Sequence, residues 1–356
     1  MKSRTDSGPI RSIQYLRAVS ALAIVWVHSL YVVPGVVDRL GKPYFDAASA
    51  IDVFFLVSGF VMVVTTTRKD SRAAEFFRIR LVRIVPLYWL ATLGVVACAA
   101  AGHSFQNLHY RPLALAKSLL FVPYAAIEGV PGSLWPILQQ GWTLNYDMFF
   151  YALFALSLAA PRRWRLIGLT SALLGLVLIG RLFGPFTGPL ASVYTNPLLL
   201  DFVAGVILAH YWLRAAPRTW LPYPLLLILM GLCAIGSHSR LVAMGGAAMI
   251  FAGCLHPRVC ATRNPLLMVI GNASYSIYLV HQFVLDALAS ASLRTSPRIT
   301  WLSSAAFMAA ALMLSVIAGY LCFRFIEAPA TSFLLERVQR SNAARGALRA
   351  CGNAAK

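Results

Sequence analysis

Two residues in one apolar stretch give the first chemical signal. Arg17 and His28 lie eleven residues apart in RSIQYLRAVSALAIVWVHSLYVVP. At 3.6 residues per turn they share a helix face, separated by a rise of roughly 16 Å, about half a bilayer's hydrocarbon thickness. Ala21 and Ile24 between them keep that face small and apolar. A cation at the membrane surface with an imidazole buried above it suits a long, anionic molecule. Ionisable groups inside a span are costly to keep and are functional candidates for that reason. The plainer alternative makes Arg17 a membrane anchor and His28 a hydrogen-bonding partner of a neighbouring helix.

Further candidates follow along the chain. Asp52 sits in AIDVFFLVSGF, Asp147 in GWTLNYDMFFY and His281 in SYSIYLVHQF. A carboxylate accepting the imidazole N–H would fix the His28 tautomer and raise its basicity, as general-base catalysis requires. Asp52 is the first choice for that role, because it follows after one loop, and Asp147 is the second. His281, with Trp142, Asn145 and Tyr278, is expected to bind substrate. Arg80 and Arg83, one turn apart in RKDSRAAEFFRIRLVRIVPLYW, form a pair whose guanidinium groups can fork onto phosphate oxygens. Glu327 in FRFIEAP is expected to pair with one of these arginines as a structural tie.

These residues need elements to hold them. Of 356 residues 59% are apolar and only 12% charged, with a mean hydropathy of +0.70. That composition excludes an ordinary soluble domain and indicates an all-α, polytopic integral membrane protein. About ten apolar segments are long enough to span, near 16–35, 49–66, 85–101, 141–159, 164–183, 197–213, 219–236, 240–256, 266–287 and 300–323. A shorter run near 114–127, interrupted by Lys117 and Pro123, is expected to lie in the interface or re-enter it. The net charge of +19 is that of lipid-facing loops, not of a nucleic-acid partner. With the N-terminus in the cytoplasm, 23 of the 31 Lys and Arg residues fall on the inner side, which orients both termini inward. The first segment lacks a small-residue cleavage site and is expected to stay as a span. One transmembrane domain over 1–335 and a short basic cytoplasmic tail over 336–356 complete this organisation. The six cysteines and seven histidines show no zinc or other metal spacing, and His103 and His109 are expected to be solvated.

With this topology His28, Asp52, Asp147 and His281 come to the same outer third of the membrane from four helices, at about 1.5 Å per residue. Two classes of protein use such a cluster: a membrane enzyme and a proton-coupled secondary transporter. No inverted repeat or pair of broken helices supports the transporter, and it leaves Arg80 and Arg83 unexplained.

Taken together, Arg17-x10-His28, IDVFFLVSGF, FFRIRLVRIVPLYW, GWTLNYDMFFY, GNASYSIYLVHQ and FRFIEAP resemble the membrane acyltransferase family 3, and within it the exopolysaccharide-type O-acetyltransferases. The pieces occur in the family's order along the whole chain. The resemblance implies transfer of an acyl group, commonly acetyl from acetyl-CoA at the cytoplasmic side, to a hydroxyl of a sugar, glycolipid or lipid-linked glycan in a bacterial-type inner membrane. It implies that Arg17 and His28 are the functional pair and that Arg80 and Arg83 lie near the CoA phosphates, with no metal required. Asp147 departs from the family, which usually carries a glutamate there, so the carboxylate is set back by one methylene. Some members carry a C-terminal hydrolase-like domain; none is expected here.

Overall fold

The structure, a computed structural model, describes residues 10–68, 72–101, 111–126, 133–214, 223–295 and 300–340. Its described residues form helices and connecting turns, with no strand among them. The chain opens with α1 (Arg11–Val32), a short α2 (Val36–Leu40), α3 (Ala47–Arg68) and α4 (Ala73–Ala100). Next come α5 (Pro112–Leu119), α6 (Trp142–Ser157), α7 (Arg162–Phe183), α8 (Pro189–Tyr194) and α9 (Leu199–Arg214). The last part holds α10 (Pro224–Ile235), α11 (Arg240–Cys254), α12 (Pro257–Ala261), α13 (Pro265–Thr295) and α14 (Trp301–Cys322). Six described stretches are long and apolar enough to cross a membrane: Arg11–Val32, Ala47–Thr67, Ala73–Ala100, Arg162–Phe183, Pro189–Arg214 and Trp301–Arg340. Apolar α10 and α11 are shorter than that.

The helices pack through small residues, since lipid gives apolar side chains little reason to prefer one another. A Cβ at Gly59 of α3 would run into the Phe202 carbonyl, and one at Gly205 of α9 into that of Leu56. These two glycines therefore let α3 and α9 cross with their backbones in contact. Gly271 does the same for α13, which meets the backbone of α1 at Gln14. Above it, Ala18 and Ala21 pack with Ala273 and Ile277 in one buried cluster. Gln14 meets Gly271 and His28 meets His281, so α1 and α13 run in the same direction.

Three sequence expectations change. The third segment starts at Ala73, twelve residues before position 85, so Arg80 and Arg83 belong to a helix rather than to the loop before it. Pro86 does not break α4, whose Ile84 carbonyl accepts a hydrogen bond of 2.7 Å from the Tyr275 hydroxyl. Second, the face of α1 between Arg17 and His28 is not an open groove: Ala21 is packed against α13, and Ile24 is fully buried. Third, the last helix passes through a π-helical turn at Phe323–Glu327 and continues to Arg340, so the tail expected from 336 begins as helix. Lys69, His103, His109, Arg298, Cys351 and the tail from 341 lie outside the described residues. The run near 114–127 overlaps α5, which starts two residues earlier and is tied to α4 by Tyr88 donating to the Ser118 carbonyl at 3.1 Å and Trp89 donating to that of Leu119 at 2.9 Å.

The α3–α9 crossing is testable. Gly205→Val should lower stability by about 1–3 kcal/mol, the usual cost of overpacking, read as a lower thermal midpoint in detergent. Gly94→Ala, where a Cβ meets nothing within 4 Å, should leave the midpoint unchanged or slightly raised.

Candidate active site

The chamber that gathers most of the candidate residues has a volume of about 230 Å³. Helix α1 contributes Gln14 and Arg17, α3 contributes Ser58, and α4 contributes Arg80 and Arg83. Asp147 and Tyr151 come from α6, one turn apart, while Tyr275 and Tyr278 come from α13. Glu327 of the π-helical turn completes the wall. Three guanidinium groups thus share a small space with two carboxyl groups. Asp147 accepts from Ser58 Oγ at 2.9 Å, and Ser58 Oγ lies 3.4 Å from the Tyr151 hydroxyl. Arg17 and Arg80 lie within electrostatic reach of Asp147. Glu327 accepts from Ser276 Oγ at 2.6 Å and attracts Arg17 and Arg83, which bears out neither a direct ion pair nor isolation from the arginines. Arg80 rests over the Phe76 ring at 5.4 Å, and its buried Nε has no hydrogen-bond partner among the described residues. A buried guanidinium donor without a partner is costly, and an anionic ligand would satisfy it.

His28 and His281 meet away from these charges. His28 Nδ1 lies 2.9 Å from His281 Nε2, and the rings are stacked with centroids 5.2 Å apart. His281 Nδ1 lies 2.7 Å from the Tyr278 carbonyl oxygen, which can only accept. The tautomers of a neutral pair follow from that one fact. His281 must carry its proton on Nδ1, which leaves Nε2 as an acceptor. His28 must then donate from Nδ1, leaving a free lone pair on its Nε2. His281 is fully buried and His28 only partly so. The pair does not line the chamber; Tyr278 stands between, with its ring 6.0 Å from that of His281. The Tyr278 hydroxyl donates to the Gln140 carbonyl at 2.9 Å and lies 3.0 Å from Thr143 Oγ1, so it also fastens the turn ahead of α6.

Asp52 lies elsewhere. Arg240, the first residue of α11, forms a two-pronged ion pair with it, one contact being 2.8 Å from Nη1 to Oδ2. Asp201 of α9, itself buried, interacts with the same carboxylate. Three helices are thereby joined around a fully buried Asp52, and the partner found by His28 is an imidazole instead of this carboxylate. The four-residue convergence resolves into separate sites: His28 with His281, Asp147 with the arginines, and Asp52 with Arg240. Equal depth did not bring them together, because depth says nothing about which way each side chain faces. Among the other expected substrate residues, Trp142 packs edge-on against Tyr146 and Asn145 is buried without lining the chamber. Sequence reasoning missed Ser58, Tyr151, Tyr275 and Asp201. Tyr151 had a readable signal, four residues after Asp147 on the same helix face; Asp201 had none.

The family profile described as an acyltransferase domain matches residues 10–324. The chain belongs to acyltransferase family 3. It is 36% identical over 306 residues to the exopolysaccharide production protein ExoZ of Rhizobium meliloti (strain 1021), covering 82% of this chain and 92% of that relative. Nodulation protein 10 of Rhizobium leguminosarum bv. viciae is 24% identical, over 80% of this chain and 85% of its own length. The acyltransferase MdmB of Streptomyces mycarofaciens is also 24% identical, over 81% and 82%. No solved structure matches. Family membership with several membrane-length apolar helices makes the protein a membrane acyltransferase, and the carrier reading loses its ground.

Arg240→Ala should strand the buried Asp52 carboxylate and destabilise the fold by about 3–5 kcal/mol, seen as a large drop in thermal midpoint. The double substitution Asp52→Asn with Arg240→Met should recover much of that loss. An Asp52→Asn protein that keeps its midpoint but loses turnover would instead place Asp52 in the chemistry.

Proposed function

We propose that this protein moves an acyl group, acetyl in the simplest case, from cytoplasmic acyl-CoA to a hydroxyl of a sugar, glycolipid or exopolysaccharide repeat unit, with His28 as general base. The observation that carries this reading is the chain from the Tyr278 carbonyl through His281 to His28 Nδ1, which leaves His28 Nε2 as a free acceptor. His281 acts as a positioning residue rather than as a substrate ligand. The chain lies in a bacterial-type inner membrane with about ten spans and both termini in the cytoplasm. ExoZ, named for exopolysaccharide production, supports a sugar acceptor.

Arg17, Arg80 and Arg83 receive the donor's phosphates near the start of α1, and the unpartnered Nε of Arg80 supports their role as anion binders. At about 230 Å³ the chamber is smaller than the usual 300–1,000 Å³ ligand pocket. It suits the thioester end of the donor, with the nucleotide lying outside. The thioester passes beside Tyr278 to reach His28. His28 Nε2 then removes the acceptor hydroxyl proton, the oxygen attacks the thioester carbonyl, and the C–S bond breaks as the new ester forms. The CoA sulfur takes the proton back from the imidazolium, leaving His28 neutral. Asp147 balances the charge of Arg17 and Arg80 and does not touch the base. The residues supply binding, orientation and proton transfer, and no metal is needed.

The test is release of free CoA from acetyl-CoA by purified protein, with lipid-linked glycans as acceptor. His28→Ala should lose turnover by about 10²–10⁴-fold while still binding CoA. His281→Asn should lower kcat with KM little changed, and should alter the pH profile by freeing the His28 tautomer. Arg80→Ala should leave the chemical step intact and raise the KM for acetyl-CoA by about ten- to a hundredfold, the loss of one charge-assisted contact. Full turnover in His28→Ala would remove the proposed base. Failure of the wild type to bind CoA would remove the proposed donor.

A further inference from the structure

A second recess opens among the ends of α3, α6 and α9 and the start of α7, with a volume of about 720 Å³ and no lining residue in common with the chamber. Arg162, Arg163, Arg165 and Arg214 line it together with His210, and none of its lining residues is acidic. None of the four arginines forms an ion pair with a carboxylate among the described residues. Arg165 is partly occupied, donating from Nε to the Ala160 carbonyl at 2.9 Å, and Arg163 lies 5.8 Å from the Trp164 ring. Arg162 and Arg214 are exposed. The floor is apolar, formed by Val63, Phe154, Leu166 and Leu213.

We propose that this recess binds the phosphate headgroup of an anionic glycerophospholipid. Four guanidinium groups clustered without a carboxylate make a positive field that attracts an anion, and their planar forks suit phosphate oxygens. A zwitterionic headgroup would bring a further cation among them and is disfavoured. The recess lies at the end of the bundle where α3 terminates, which is also where α1 begins. Its wall continues onto the outside of α7 through Ile167, which is 54% exposed. Leu174 and Leu178, about two and three turns further along, are exposed as well, so acyl chains can follow α7 from a phosphate held at its first turn. Trp164 beside it is 53% exposed, at the level where tryptophan anchors to headgroups. A free phosphate would use the arginines but leave the apolar floor and this continuous face without a role. The site does not depend on the reaction assigned to the chamber.

Binding is measured on the full, detergent-solubilised chain as the saturable rise in thermal midpoint with phosphatidylglycerol, phosphatidylcholine or sodium pyrophosphate. Phosphatidylglycerol should stabilise and phosphatidylcholine should not, while any effect of pyrophosphate, which the chamber arginines can also take, should be unchanged by substitutions in the recess. The double substitution Arg162→Gln, Arg214→Gln should weaken the phosphatidylglycerol effect by about tenfold or more, consistent with the contribution of each surface Arg to anionic-lipid binding. Arg258→Gln with Arg263→Gln removes two exposed arginines near the start of α1 and should leave the effect in place. Should the first double variant fail to fold, Arg214→Gln alone is expected to weaken binding at least threefold. Equal binding by the recess variants, equal loss in the control, or equal stabilisation by phosphatidylcholine would overturn the proposal. Stabilisation by pyrophosphate that matches that by phosphatidylglycerol and is lost in the Arg162→Gln, Arg214→Gln protein would also overturn it, making the recess a site for a soluble anion.

Discussion

Helices α1 and α13 touch backbone to backbone where Gly271 meets Gln14, and that contact sets the register of everything above it. With no side chain at Gly271, the two helices run side by side in the same direction, and small residues from both fill the space as far as Ile277. Their histidines then arrive opposite one another at the end of this contact. A bulkier residue at 271 would push the helices apart and break a 2.9 Å hydrogen bond some three turns away. The tautomer of His28 is therefore a consequence of helix packing as much as of local chemistry.

Charge neutralisation inside an apolar bundle explains the other groupings. The carboxylates inside the bundle gather around shared cations: Arg240 serves both Asp52 and Asp201, and the arginines of the chamber serve Asp147 and Glu327. Isolated charges in such surroundings would be strongly disfavoured, so burial and pairing go together. The chamber differs from the Asp52 clamp in its excess of cations. Arg17, Arg80 and Arg83 face two carboxyl groups, and a net positive space inside a membrane protein is a place for an anion.

Much of the architecture was legible from hydrophobic runs, because a membrane rewards long apolar helices irrespective of their partners. Arg17, Arg80, Arg83 and Asp147 were singled out from residue type and spacing, and the structure brings them to one chamber. Their partners were not legible. Asp52 finds Arg240, 188 residues away in sequence, and His28 finds His281, 253 residues away. Side-chain direction on α3 depends on which face meets α9, and that face is set by Gly59 and Gly205, whose packing role no periodicity reveals. The start of α4 was misplaced for a different reason. The charges of FFRIRLVR read as a loop on a hydropathy scale, although the same residues make a good helix.

Tyr278 serves the site through two ends that answer to different parts of the molecule. Its carbonyl belongs to the α13 backbone, and the bond to His281 spans three residues of that helix, so any residue at 278 can supply it. Its phenol forms a wall of the chamber and holds the turn before α6. Changing the side chain alters the room offered to a ligand while the backbone keeps His281 in place. Selection can thus reshape what the chamber admits without disturbing the histidine pair, a separation that suits a family whose relatives are named for exopolysaccharide production, for nodulation and for acyl transfer.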